Sequence, residues 1–337
     1  MAQVSVIVPV HGAERTLAAC LDSVCAQQAC ELEVLCVDDG ALDASGQILD
    51  AFAAKDSRIR VCHQPNRGVA LARNRAMVLA KGRFLAFMDP DDLYPSSEAL
   101  ARLYAEAVRS GVLIVGGVLE RLAPDTGSVS RPPLANTELP GIHAYRQAPF
   151  DHGYTRFIYD RAWLLDHGIC FPPYVRFQDP PFLVRAMAIA GTYAMIEASV
   201  YRYRDDPGHV RWAEQDFVRL RHLFLGMGEV ARLAREYGLP TLITRLRQRL
   251  LVEWWLMLKP YHAIILVLPE FDTFLRMLPK GEAERIRRAF AHPPRFALLE
   301  RCQVMLRKIA LVRRLCGWPG LFTMSRDWAR RRIGRFR

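Results

Sequence analysis

Over the first hundred residues, short unbroken apolar runs alternate with stretches whose apolar residues recur every three or four positions. The β-branched run at 4–10 is closed by Pro9 and the turn residue Gly12, and residues 14–28 carry Leu17, Cys20, Leu21 and Val24 at helical spacing. The same reading predicts strands over 32–37, 59–62, 84–88 and 112–119, and helices over 44–54, 69–80 and 97–109. Continuous apolar strands separated by amphipathic helices imply βαβ units and a parallel sheet covered on both faces. A loop-rich stretch with five prolines follows at 124–150, then ordered segments at 157–167 and 175–190 and a strand at 192–203. From about 214 the pattern is helical to the end, broken by Pro240, Pro260, Pro269, Pro279, Pro293, Pro294 and Pro319. The expected organisation is an α/β region in two parts, 1–110 and 111–210, and a mainly helical region at 211–337.

Composition narrows the class. With 51% apolar and 24% charged residues among 337, the chain is neither disordered nor collagen-like. Its longest apolar stretches, such as 263–269, run to seven residues, against the roughly 20 needed to cross a bilayer. No basic segment precedes the first apolar run, so neither a signal peptide nor a membrane span is expected, and a cytoplasmic location is. Charge is uneven: residues 1–209 carry a net −4 and residues 210–337 a net +15. Cys20, Cys25, Cys30 and Cys36 fall close together but form no Cys-x-x-Cys pair, which favours free thiols over a zinc site.

In doubly covered sheets, ligands bind beyond the carboxyl ends of the strands. Two of the expected strand ends are acidic: Asp38-Asp39-Gly40, and Asp89-Pro90-Asp91-Asp92. Carboxylates that crowded need a compensating cation or hydrogen-bond donors, and hard oxygen ligands suit magnesium or manganese carrying a diphosphate. An acidic turn that only caps the next helix fits the residues equally well. No Gly-x-Gly-x-x-Gly follows an early strand and no Gly-Lys-Ser/Thr loop occurs, which disfavours dinucleotide and P-loop phosphate cradles.

The segments VSVIVPVHGAERTLAACLDSV, VLCVDDG, QPNRGVALARNRA, KGRFLAFMDPDD and RFQDPPF occur in that order, and together resemble the family-2 glycosyltransferases of GT-A fold. The resemblance is strong over 3–105 and weaker to about 210. It implies a mostly parallel sheet flanked by helices, and inverting transfer from a nucleotide-diphosphate sugar, most often a UDP-sugar, to a glycan or lipid-linked acceptor. By the same resemblance Pro9, Val10 and Glu14 line the base pocket, and Asp39 bonds the base or ribose with Asp38 in support. Arg73 reaches the nucleotide, Asp89 faces the ribose or sugar, Asp91 holds a divalent Mn2+ or Mg2+, and Asp92 is an auxiliary contact. Asp179 is the implied catalytic base, a role compatible with capping the helix that follows. Arg204 and His209 fall where a loop closes on the diphosphate. Four departures stand out: His11-Gly12, Ala41, Arg75-Ala76, and Gln178 where an acidic residue usually precedes the base. A catalytically silent nucleotide-sugar-binding or scaffolding protein is the alternative from another class.

Residues 297–316 place Leu298, Cys302, Met305, Leu306, Ile309, Val312 and Cys316 at helical spacing among five basic residues, and an Arg-rich tail with Trp318, Phe322 and Trp328 follows. A basic amphipathic helix flanked by aromatics suits an anionic membrane surface, which would place the protein at the inner face of the cell membrane. A solvated helical face or a homodimer interface is the plainer reading. No nucleic-acid-binding module is recognisable.

Overall fold

The computed structural model describes residues 2–28, 31–123, 125–131, 139–205, 216–253, 265 and 268–291. The basic segment 297–337 and the expected loop at His209 lie outside the described residues. Two compact units are present, residues 1–246 and 247–337. The parting expected near 210 falls inside the first.

The early alternation becomes β1 (Val4–Val10), α1 (Leu17–Cys25), β2 (Leu32–Asp39), α2 (Ser45–Ala53), β3 (Ile59–Gln64), α3 (Val69–Leu79), β4 (Phe84–Phe87), α4 (Ala99–Ser110) and β5 (Ile114–Leu122). All residues of β1, β2 and β4 are buried, as expected of strands covered on both faces. One face packs Val4, Val6, Val8 and Val10 against Leu17, Cys20, Leu21 and Val24 of α1 and Leu100 and Leu103 of α4.

The loop-rich stretch holds more than turns. It contains β6 (Val129–Ser130), β7 (Gly141–Ala144) and a 3-10 turn, Tyr145–Gln147, and a second 3-10 turn, Tyr154–Arg156, follows it. These pieces are too short for either periodicity to register. After them come β8 (Phe157–Asp160), α5 (Arg161–Asp166), α6 (Asp179–Ala190) and β9 (Thr192–Arg204). Within the ordered segment expected over 175–190, the helix begins at Asp179, the residue expected to cap it, after an irregular segment, 171–178.

Among the described residues nine strands form one sheet in the order β3-β2-β1-β4-β8-β5-β9-β7, with β6 beside β5. The pairs β3–β2, β2–β1, β1–β4 and β5–β9 are parallel. Antiparallel β8 sits between β4 and β5 and joins the two parallel sets. The carboxyl ends of β1, β2 and β4 therefore lie side by side, and both acidic turns open on one edge.

On the other face Phe87 of β4 meets Phe171 and Phe182 at ring-centroid distances of 5.2 and 5.5 Å, and those two rings stack at 4.0 Å. This aromatic cluster fastens α6 to the sheet. Packed against α6 is α7 (Asp216–Glu236), through the Arg185–Glu229 ion pair at 2.8 Å among other contacts. The last helix beginning in the first unit is α8 (Pro240–Glu253). In the second unit, helices Pro269–Met277 and Lys280–Ala291 pair through Phe271 and Phe290 (4.9 Å) and an Arg287–Asp272 ion pair. No helix among the described residues is long and apolar enough to cross a membrane.

Candidate active site

A cleft of about 690 Å³, including the solvent at its mouth, opens where β1, β2 and β4 end; it is lined by Pro9, Val10, His11, Thr16, Asp39, Val69, Arg73, Asp89 and Asp91, among others. Six of the residues expected at the site share this lining: Pro9, Val10, Asp39, Arg73, Asp89 and Asp91.

Asp39 is buried, and its carboxylate organises the segment ahead of α3. Its Oδ1 accepts from Gln64 Nε2 (2.7 Å) and the Arg67 amide (2.8 Å), and its Oδ2 accepts from the Gly68 amide (2.8 Å). Arg75 Nη1 donates to Gln64 Oε1 (2.8 Å), which turns the Gln64 amide group toward Asp39. One of the departures from the family pattern thus serves the wall of the cleft. A carboxylate offers about four lone-pair sites, so Asp39 keeps capacity for one ligand N–H or O–H. The turn after β2 needs a residue without a side chain: Gly40 has φ +69°, and a Cβ there would lie 2.7 Å from the Asn66 nitrogen.

Asp38 points elsewhere. Its Oδ1 accepts from the Ala41 amide (2.9 Å), and its Oδ2 accepts from His63 Nδ1 (2.8 Å). The bond to Asp38, helped by Asp50 beyond it, raises the proton affinity of His63 against the opposing effect of desolvation. Glu14 also stands off the cleft, with Oε2 accepting from the Ala44 amide (3.1 Å) at the start of α2. In this structure both residues brace the turn around Asp39.

The floor of the cleft is a buried cation. Arg73, 4% exposed, donates from Nη2 to Asp89 Oδ1 (2.6 Å). Its guanidinium carbon lies 5.1 and 5.2 Å from the ring centres of Tyr154 and Phe171, within cation–π range. Burial opposes its charge, but Tyr154, Asp89 and Asp179 outweigh that and hold it firmly protonated. Its Nε and Nη1 are buried and have no hydrogen-bond partner among the described residues. Buried donors in that condition are costly unless something pairs with them. Tyr154 OH donates to the same Asp89 oxygen (3.0 Å), and its phenol too feels Asp179. Asp179, at the first turn of α6, therefore shares one electrostatic neighbourhood with Asp89 through Arg73 and Tyr154.

Asp92 is fully buried away from the lining and ties the acidic turn to β9. Its Oδ2 accepts from Tyr201 OH (2.6 Å), and its Oδ1 accepts from the Arg204 amide (2.8 Å). Tyr201 OH in turn accepts from the Asp89 amide (3.2 Å). Burial, then the charges of Asp89 and Asp91, push Asp92 up to about 8. The guanidinium of Arg204 holds an Nε that is buried without a partner among the described residues.

The two carboxylates that face the cleft, Asp89 and Asp91, supply the negative charge that a hard divalent cation needs. No group of three or more His, Cys, Asp or Glu side chains that could hold a metal is present among the described residues. Magnesium usually takes one or two carboxylates plus substrate phosphates, and the cleft-lining pair Asp89 and Asp91 fits that smaller donor set.

Some site residues carried no readable signal. Tyr154 and Phe171 come from irregular segments and reach Arg73 only through the fold. Asn74, beside Arg73 on α3, donates from Nδ2 to the Phe171 carbonyl (2.7 Å) and accepts the Phe171 amide on Oδ1 (2.9 Å). It thereby ties α3 to the segment leading into α6.

Residues 5–170 match the family described as Glycosyl transferase family 2. The uncharacterized glycosyltransferase EpsJ of Bacillus subtilis is 35% identical over 213 residues, which span 60% of this chain and 61% of that protein. The match therefore covers less than two thirds of that relative's length. Among solved structures, residues 1–349 of S. aureus TarS in complex with UDP-GlcNAc superpose with a TM-score of 0.63 at 19% identity, over 88% of each chain. The mannosyltransferase PcManGT from Pyrobaculum calidifontis, in complex with GDP-Man and Mn2+, gives 0.54 at 19% identity, over 87% of this chain and 88% of that one. At such identities the likeness is one of fold, and the fold is GT-A: a nine-stranded mixed sheet flanked by helices. The order of its motifs, the match over 5–170 and the acidic edge of its sheet mark residues 5–170 as a region of the glycosyltransferase family 2 type.

Proposed function

We propose that the protein transfers a sugar, with inversion, from a nucleotide-diphosphate sugar to a hydroxyl of a glycan or lipid-linked acceptor, in the synthesis of a cell-surface polysaccharide or lipopolysaccharide. The observation that carries this reading is the buried Arg73 at the cleft floor, which is bonded to Asp89, holds two guanidinium nitrogens without a partner among the described residues, and is further held protonated by Asp179. A donor and an acceptor-activating carboxylate belong at such a junction.

The nucleotide lies against Pro9, Val10 and the remaining lone pair of Asp39, a UDP-sugar being the expected donor; UDP-GlcNAc and GDP-Man in the two solved relatives support that class of ligand. Arg73 Nε and Nη1 donate to donor oxygens and so satisfy their own unmet hydrogen bonds. Asp179 accepts the proton of the acceptor hydroxyl as its oxygen attacks the anomeric carbon. The bond to the diphosphate breaks on the opposite face, so one displacement inverts the centre, and the proton remains on Asp179 until solvent takes it. A divalent cation held by Asp91 and Asp89 would supply Lewis-acid stabilisation of the leaving diphosphate.

Asp179→Asn tests the assignment. Transfer and donor hydrolysis should fall by about 100-fold or more, the range for removing a general base, while nucleotide diphosphates bind as before in calorimetric titrations with and without Mn2+. Undiminished turnover would remove Asp179 from the role. Binding that ignores the metal, with no turnover of any donor by the wild type, would favour a silent nucleotide-sugar-binding scaffold.

A further inference from the structure

Phe177 has φ +64° and is the one non-glycine residue with positive φ among those described. A bulky side chain there is a true outlier that persists only where the surroundings impose it. It is buried and lies two residues before Asp179.

The segment is fastened on both sides of that point. Upstream, Asn74 brackets the Phe171 backbone, and His222 of α7 accepts the Val175 amide on Nδ1 at 3.0 Å while its ring faces Tyr174 at 5.5 Å. Downstream, Pro180 and Pro181 follow Asp179 directly. Proline fixes its own φ and restricts the residue before it, and Phe182 stacks on Phe171. Between these anchors lie residues 176–178, whose backbone sets the direction in which Asp179 leaves the turn, and the unusual torsion falls on Phe177. Helix α7 makes room for it at Gly226, where a Cβ would lie 2.6 Å from the Phe177 carbonyl oxygen and 2.9 Å from its Cδ1.

We propose that Phe177, locked in its left-handed conformation by the backbone gap at Gly226 and the His222–Val175 hydrogen bond, is the positioning residue that aims Asp179 at the acceptor side of the cleft. This rests on Asp179 being the base. Helix α7 thereby becomes part of the catalytic apparatus without touching substrate, because any shift of its Gly226 face is passed through one carbonyl to the carboxylate.

The test uses the full chain with Mn2+ and, as probes, UDP-glucose, UDP-N-acetylglucosamine and GDP-mannose, scored by release of nucleotide diphosphate. Gly226→Ala should lower kcat by about 100-fold, the scale of a misplacement near 1 Å, while the Kd for UDP or GDP stays within about twofold of wild type. His222→Leu should also lower kcat. His222→Asn, which puts an amide oxygen where Nδ1 stood, should recover it; a purely structural role for the ring would predict that both fail. On an Asp179→Asn background neither Gly226→Ala nor His222→Leu should reduce turnover further, since residues acting through one group are not additive. Wild-type kcat in folded Gly226→Ala, or losses that add to Asp179→Asn, would overturn the proposal. If Gly226→Ala does not fold, the two His222 variants decide alone. Should none of the three donors be turned over, crystal structures decide: an Asp179 carboxylate displaced by about 1 Å from its wild-type place beside Arg73 supports positioning, and an unmoved one refutes it. Full turnover in Asp179→Asn by itself would remove the base assignment, an outcome separate from where Gly226→Ala puts the carboxylate.

Discussion

Replacing Asn74 by alanine should loosen the junction between the two halves of the site, and the size of the effect follows from its two hydrogen bonds. Both end on the backbone of Phe171, a residue 1% exposed, at 2.7 and 2.9 Å. Asn74→Ala leaves a buried N–H and a buried C=O unpaired, each worth about 1–3 kcal/mol. Asn74 itself is half-buried, so water entering the vacated space recovers part of this, and we expect a net loss of about 2–3 kcal/mol. For a domain of this size that is a fall in Tm of about 4–12 °C by calorimetry. Hydrogen exchange should find the Phe171 amide unprotected while amides of β1 and β2 stay slow. Asn74→Asp sharpens the test. Its carboxylate still accepts the Phe171 N–H but sets a lone pair against the Phe171 carbonyl, which raises the folded-state pKa of the new carboxyl. The folded protein then holds its proton more tightly than the unfolded chain does, so the deficit is largest at neutral pH and shrinks as pH falls through that pKa. A Tm within about 1 °C of wild type for Asn74→Ala, the range of an ordinary surface substitution, together with an undisturbed Phe171 amide, would refute the claim that this side chain holds the segment.

Other consequences are as direct. Asp92, pushed up to about 8 by burial and by Asp89 and Asp91, is protonated in the fold at pH values where the unfolded carboxyl is ionised. Stability should therefore decline as pH rises from about 4 to about 8 and then level, and Asp92→Asn should flatten that slope in thermal melts; a slope unchanged in the variant would refute the assignment. His63 has the opposite chemistry and the same sign. Its proton affinity is raised by Asp38, so its contribution is complete below about pH 6.5 and is lost as pH rises through the higher folded value. The ring is half exposed, so the difference between wild type and His63→Gln should not exceed about 1 kcal/mol, and a difference that grows with rising pH would contradict it. Deleting residues 297–337 should abolish sedimentation with anionic vesicles if the basic segment docks on lipid, each Lys or Arg near the surface contributing about 1 kcal/mol; equal sedimentation with and without the segment would refute docking.

The parallel core was legible because both covering layers leave their mark on it. Strands buried on two faces admit polar residues only in pairs, so 4–10, 32–37 and 84–87 read as apolar runs interrupted only by Ser5 and Glu33, which bond to each other, and the polar residues ending them mark the ligand edge. Loss of legibility begins where burial becomes one-sided or segments become short. β7, a four-residue edge strand, has too few positions for any period, and the irregular 171–178 segment is held by side chains from α3 and α7 that no local pattern announces, although Asp179 with the two prolines after it marks the start of α6. The candidate site divides in the same way. Asp39, Asp89 and Asp91 are announced by their place at strand ends. Nothing local distinguishes Tyr154, Phe171 or Asn74, because their partners lie 65 and 97 positions away in the chain. Sequence also could not tell which member of an acidic pair faces ligand. Asp38 and Asp92, each adjacent to a cleft-lining aspartate, turn inward to hold backbone amides: Asp38 and Asp39 alternate along β2, and Asp92 follows a turn closed by its own amide on the Asp89 carbonyl.

The antiparallel strand at 157–160 has an implication for how the chain is made. It lies between β4 and β5, so the β4 edge stays open during synthesis until residue 160 has left the ribosome. A fragment ending near 110 would expose that apolar edge to any extended neighbour, a hazard for edge-to-edge aggregation. Truncations intended to isolate the nucleotide half should therefore retain the chain through β8, and nascent chains of intermediate length are where a chaperone would be needed.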